Sequence, residues 1–328
     1  MERPPSGGPG PAEAAHYTRL CGTIAQPIGP EDSTMNRSLC SLATALLVLT
    51  AASSSAQILV ANDGPVVYGH HHLAVSNVEA HKKFWVDTLG GTAMKIGNTD
   101  VIRFPDIFLF LNVQKPAGPT KGTALDHIGF AVPDVPALTT KIVANGFELT
   151  TGREPKPGEK VALPTAGNYG RFSYILGPDG AKVELVTNMA PNAPPITHHH
   201  VHFINKQYVE MREWYVKALN ATMRTGPNTF TDFFTGADLP GVGYMLNFFR
   251  WEGDQSITHQ PTAGRVYDHV GFEVKNLEAF TKQLEGKGIT LTKKYGKNGD
   301  MNNIMSASLI DPWGVSIELT EGLSKVGQ

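Results

Sequence analysis

The sequence predicts an α+β protein made of four copies of one strand–helix–strands unit. Three observations carry this reading. His127-Ile-Gly-Phe-Ala-Val132 returns as His269-Val-Gly-Phe-Glu-Val274, an offset of 142 residues. Phe84-Trp85-Val86, followed by Leu89, returns as Trp214-Tyr215-Val216, followed by Leu219, an offset of 130. Gly177-Pro-Asp-Gly-Ala-Lys-Val-Glu184-Leu returns as Asp311-Pro-Trp-Gly-Val-Ser-Ile-Glu318-Leu, an offset of 134. Internal repetition of this kind outranks other sequence signals, because each copy is one supersecondary unit seeking a partner.

The elements follow in chain order. Residues 70–75 read as a strand and 77–89 as a helix, followed by β-rich runs at 101–104 and 108–113. Residues 127–132 are again a strand; 134–145 form a helix closed by Gly146, and strands follow at 172–176 and 182–187. Ala190-Pro-Asn-Ala-Pro-Pro195 is a stiff linker between halves. The second half repeats the plan, with a helix over 276–287 closed by Gly288. Alternating, half-buried strands favour antiparallel pairing with helices on one face. Trp85, Trp214 and Tyr215 stand at helical spacing and pack on the sheet.

Composition narrows the function classes. The chain has 328 residues, with 28 Lys+Arg against 30 Asp+Glu and a formal net charge of -2. The lack of basic excess argues against a nucleic-acid partner. Met35-Asn36-Arg37, an apolar run from Leu39 to Ala52, and Ser54-Ser55-Ala56 follow the three-part pattern of a secretory signal peptide over 35–56. The run is too short to span a bilayer comfortably. Export to the periplasm or medium follows, with no membrane partner after cleavage. Residues 1–34 are then a disordered extension or a start-site misassignment. Both cysteines, Cys21 and Cys40, precede Gln57. The mature chain therefore has no disulfide, thiolate nucleophile or Cys–metal site, and any metal falls to His and carboxylates.

Three residues in each half suit that role: His70, His127 and Glu184, then His200, His269 and Glu318. Each His opens the first strand of its unit, and each Glu sits in a closing strand. If two units curl into a shared sheet, two imidazoles and a carboxylate can converge. Such a set suits Fe(II), Mn(II) or Zn(II) with positions left open for substrate. His72 and His202 share the ligand face two residues along, as neighbours of the ligands or as ligands themselves. His71 and His199 point the other way and read as surface residues, and His198 as part of the linker.

The motifs Asp126-His127-Ile-Gly-Phe-Ala-Val, Asp268-His269-Val-Gly-Phe-Glu-Val, Lys182-Val-Glu184-Leu-Val and Asp311-Pro-Trp-Gly-Val-Ser-Ile-Glu318-Leu-Thr together resemble the vicinal oxygen chelate superfamily. That superfamily includes glyoxalase I, extradiol dioxygenases and bleomycin-resistance proteins. The resemblance spans about 66–322. It implies four βαβββ modules paired into two open half-barrel domains, 66–188 and 197–322 around a 189–196 linker. By position it assigns a divalent metal (Fe, Mn, Zn or Ni) to the same six side chains.

The superfamily shares a chelation strategy, not a reaction. Glyoxalase I-like members take a further Glu from the last strand of the first module; here Asn112 and Asn247 stand at the matching places, as weak ligands or hydrogen-bond donors to substrate. Extradiol enzymes place an acid–base His before the second ligand, where His259 fits. They also place a Tyr about ten residues before the Glu; Tyr174 fits in the first half, and Ser308 stands there in the second. Arg103, Arg171 and Arg250 lie beside strands and are candidates for pairing a substrate carboxylate or phosphate. Three readings result: a metal-dependent lyase or isomerase acting on a small molecule with adjacent oxygens, an Fe(II) extradiol-type dioxygenase, or a non-catalytic binding protein of bleomycin-resistance type. Two fused pairs satisfy the pairing need within one chain, so the protein is a monomer or a homodimer.

Overall fold

The computed structural model describes residues 66–160, 172–225, 231–240 and 245–326. The signal-peptide segment, both cysteines and Arg171 lie outside them. Each unit reads β–α–β–β–β. The first holds β1 (Val66–Val75), the short helix α1 (Val78–Lys82, continued by a wider turn Lys83–Thr88), β2 (Thr92–Ile96), β3 (Thr99–Phe104) and β4 (Ile107–Val113). The second holds β5 (Leu125–Val132), α2 (Val135–Ala144), β6 (Glu148–Leu149), β7 (Phe172–Leu176) and β8 (Lys182–Thr187). The third holds β9 (Thr197–Asn205), α3 (Tyr208–Leu219), β10 (Thr222–Met223), β11 (Phe234–Asp238) and β12 (Met245–Arg250). The fourth holds β13 (Tyr267–Val274), α4 (Leu277–Gly286), β14 (Leu291–Asn298), β15 (Ile304–Ile310) and β16 (Ser316–Glu321).

Local chemistry explains the helix limits. Asn77, Asp134 and Asn276 accept from the backbone N–H three residues on, at 3.0, 2.8 and 3.3 Å, satisfying a donor the first turn leaves orphaned. Gly146 (φ +89°) and Gly288 (φ +80°) stop α2 and α4 in the left-handed conformation that only glycine adopts cheaply. Trp85 and Tyr215 are buried under the sheets, in one core with Phe130, Phe203, Phe248 and Phe272.

The strands form two eight-stranded sheets, ordered β14-β15-β16-β13-β1-β4-β3-β2 and β10-β11-β12-β9-β5-β8-β7-β6. This corrects the expected pairing. The sequence reading closes a sheet within 66–188 and another within 197–322. Instead β1 pairs antiparallel with β13, so the first unit joins the fourth. β5 pairs antiparallel with β9, so the second joins the third. A bulge at Gly69 and another at His199 shift the register of β1 and β9 at equivalent places.

Two expected surface or linker residues are also corrected. His71 is fully buried and hydrogen-bonds the Tyr68 hydroxyl. His198 lies within β9, stacked on Tyr68 at 4.3 Å. The reason is that the face away from the ligands is the contact between the sheets, not solvent. There Tyr267 also donates its hydroxyl to the Lys182 carbonyl, 2.9 Å away.

Candidate metal centres

Alternation along β1 sends His70 and His72 to one face and His71 to the other. Across the seam, His72 pairs with His269 and His70 with Gly271, and Gly271 pairs in turn with Glu318 on β16. A glycine thus sits between His70 and Glu318. Without a Cβ there, the imidazole lies across β13 and brings Nε2 to 3.1 Å from Glu318 Oε2. A Cβ on Gly271 would fall closer than 3.0 Å to the His70 ring. The other sheet repeats this. His200 and Glu184 flank Gly129, and His200 Nε2 is 2.9 Å from Glu184 Oε2. His127 Nε2 reaches the same oxygen at 2.9 Å.

The structure therefore forms two clusters: His70, His72, His269 and Glu318, and His127, Glu184, His200 and His202. In each, one candidate ligand atom per residue lies within 4.8 Å of the others. All six side chains singled out from the sequence enter a cluster, but His70 and His200 have exchanged places. His72 and His202 join them as fourth members.

Asp126 and Asp268, each preceding a clustered His, fix its proton. His127 Nδ1 lies 2.6 Å from Asp126 Oδ2, and His269 Nδ1 lies 2.7 Å from Asp268 Oδ1. An Nδ1–H donated to the carboxylate turns Nε2 toward the cluster, which is how outer carboxylates orient metal-binding histidines. Lys182 grips Asp126 from behind at 2.6 Å. The far oxygens are held as well. Tyr174 donates to Glu184 Oε1 and Asn298 to Glu318 Oε1, both at 3.1 Å. The sequence carried the Asp-His pairs as repeat markers, and their adjacency was the available signal for this role.

The clusters are electrostatically tense. Burial drives His269 down, but the Asp268 carboxylate that accepts from its Nδ1–H and the nearby Glu318 carboxylate carry it up to about 9. His127 is likewise raised against burial by Asp126 and Glu184. Burial and the neighbouring His269 push His72 down to about 3. Burial lowers His70 and His200, and lowers His202 further. Burial would raise Glu318 and Glu184, but the imidazoles around them win and hold both well below the usual carboxylate range.

These residues fit a divalent cation. Around Glu318 Oε2, three imidazole nitrogens stand at 3.1, 3.4 and 3.5 Å. His72 Nε2, His269 Nε2 and His202 Nε2 are buried without a hydrogen-bond partner. Imidazole nitrogens and a carboxylate converging from separate strands are the donor set that Zn, Mn or Fe accepts once the cation takes the place of the imidazole protons.

The family model described as Glyoxalase/Bleomycin resistance protein/Dioxygenase superfamily matches twice, over residues 67–185 and 197–319. The chain belongs to this superfamily. Its fold is similar to that of glyoxalase I from Zea mays, at 17% identity and a TM-score of 0.57, over 80% of this chain and 94% of that one. It is similar also to a proposed dioxygenase from Bacillus subtilis, at 13% identity and a TM-score of 0.54, over 77% and 84%. At these identities the likeness shows the fold alone. No curated protein matches the sequence.

The remaining candidates of this superfamily member are dispersed. Asn112 donates to His72 Nδ1 at 3.1 Å, beside the first cluster. Asn247 pairs with His202 across β12 and β9 and accepts from Arg224 at 3.3 Å. Tyr174 reaches the second cluster through Glu184. His259 joins neither cluster: its Nδ1 contacts Asn205 Nδ2 at 3.0 Å, and it lines a separate cleft of about 480 Å³ with Lys206, Pro261 and Trp313. His259 thus stands outside the ligand set of both clusters, while Tyr174 touches Glu184 directly. Arg250 is taken by Glu252 at 3.0 Å.

Proposed function

We propose that this protein is a divalent-metal-dependent enzyme acting on a small molecule with adjacent oxygens, by lyase or isomerase chemistry. The observation that carries the reading is the glycine-cradled convergence of two imidazoles and one carboxylate on neighbouring strands, built twice. His70, His269 and Glu318 would hold one cation, and His127, His200 and Glu184 the other. When bound, such a cation supplies a Lewis acid that draws charge from a substrate oxygen.

The chain's own residues would do the rest. Asp268 and Asp126 keep the Nε2 lone pairs of His269 and His127 aimed at the centre. With Asn112 donating to Nδ1, His72 carries its proton on Nε2. It lines a cleft of about 440 Å³ together with His269 and Glu318. A neutral N–H at that place suits holding an oxyanion better than removing a proton, since an imidazole held down near 3 is a poor base. The extradiol reading has less support, because it needs His259 and a Tyr at one centre. The export reading rests on residues 35–56 and remains a proposal, with Gln57 as the first mature residue.

Elemental analysis of the purified protein tests the proposal. Up to two equivalents of divalent metal are expected, with His70→Ala and His269→Ala removing the same equivalent. Protein that binds no divalent metal refutes the enzyme reading and favours the non-catalytic binder.

A further inference from the structure

The cleft over the His70, His72, His269 and Glu318 cluster is roofed by two hairpin turns from opposite ends of the fold. One is the β2–β3 turn at Gly97 and Asn98; the other is the β14–β15 turn over Asn298 to Asn303. The turns meet: Gly97, at φ +57°, packs so closely that a Cβ would lie 3.1 Å from the Asp300 carbonyl oxygen. The cleft, open to solvent, has a volume of about 440 Å³, which falls in the range of small-molecule sites.

The lining has an unusual chemistry. Five carboxamides, of Asn98, Asn112, Asn298, Asn302 and Asn303, face it with the Thr99 hydroxyl. Each carboxamide offers donors and an acceptor at once, the match for an alcohol that also donates and accepts. Those of Asn98, Asn302 and Asn303 are exposed to solvent and have no side-chain hydrogen-bond partner among the described residues. Backbone conformation accounts for residues tolerant of positive φ at Asn302 (+55°) and Asn303 (+60°), where glycine would serve equally; Asn98 and Asn112 have no such need. Beyond the cluster, the lining carries one cation, Lys293, and one anion, Asp300. Among the described residues the lining has no arginine fork to grip a carboxylate and no Phe, Tyr or Trp to stack a catechol, and Met301 is its one large apolar side chain.

We infer that this cleft takes a neutral, polyhydroxylated small molecule, a polyol or sugar, whose adjacent hydroxyls face the cluster while the asparagines hold the others. The inference rests on the reading of the cluster as a substrate-handling centre, and it narrows the substrate class of that centre.

The test is a saturation-transfer and titration panel on the full chain, metal-loaded and chelator-treated. The probes are erythritol and methyl glucoside as neutral polyols, lactate as a carboxylate, and catechol. The polyols are expected to bind at least about tenfold more tightly than lactate or catechol. The triple variant Asn98→Ala, Asn302→Gly, Asn303→Gly keeps a backbone that tolerates left-handed turns and touches no cluster residue. It is expected to weaken polyol binding about tenfold or more, with metal content and melting profile unchanged. Binding of catechol or lactate as tight as the polyols overturns the inference, and so does polyol affinity unchanged in the variant. Loss of metal binding by the protein itself would count against the enzyme reading alone, since the panel on chelator-treated protein still decides the ligand class.

Discussion

Gly271→Ala offers the sharpest check on how the first centre is built. Gly271 lies in the strand β13 with ordinary backbone angles, so by propensity alone alanine should stabilise it by about 0.5–1 kcal/mol. The structure reverses that sign. The new methyl would fall inside the His70 ring, which is fully buried and has no room to retreat. Overpacking of this kind costs about 1–3 kcal/mol. Displacing His70 also takes a 3.1 Å partner from Glu318, a buried carboxylate, at about 1–3 kcal/mol more. The net expectation is a loss of about 2–4 kcal/mol in urea unfolding, with one metal equivalent gone and the His127 centre intact. Shaving the ring away should relieve the clash. Gly271→Ala is therefore expected to cost little in a His70→Ala background, leaving a coupling of at least about 1 kcal/mol between the two sites. A Gly271→Ala protein that keeps wild-type stability and both metal equivalents would refute the cradle.

Other outcomes follow from the same geometry. The double variant His70→Ala, His127→Ala should lose both metals, because the two residues belong to different centres; retention of a full equivalent would restore the pairing by halves. Asp268→Asn and Asp126→Asn should each weaken metal binding at their own centre by about 10–100-fold, measured by calorimetric titration, since the amide no longer enforces the Nδ1–H tautomer. Asp311 is raised to about 6 by burial, against hydrogen bonds from Val315, Trp313 and Tyr215. A folded pKa above the unfolded one gives stability that is full below about pH 4 and fades as pH rises through 6, on the order of 3 kcal/mol at 1.36 per unit. The stability of Asp311→Asn relative to wild type should thus rise by about that amount between pH 4 and 7 in urea unfolding; a constant difference would contradict the assignment. Amino-terminal sequencing of exported protein should begin at Gln57.

The sequence by itself determined the four units, their helix ends and the identity of the ligand candidates. These are local properties: alternation, capping residues and a motif such as Asp-His-Ile-Gly-Phe are written within a few neighbours. Gly129 and Gly271 stood inside that motif, yet their purpose was invisible, since the ring each accommodates arrives from another unit. The tertiary structure alone decided who pairs with whom. His70 and Glu318 meet across 248 residues of chain. His127 and His269 sit in near-identical motifs, so nothing local told β1 which of the two strands to join. Burial of His71 and His198 follows from the same choice, because the second face of β1 and β9 becomes an interior only when the sheets pack together. Strand partnership is a global free-energy choice among nearly equivalent edges, and its outcome moved two histidines between centres without changing a single ligand type.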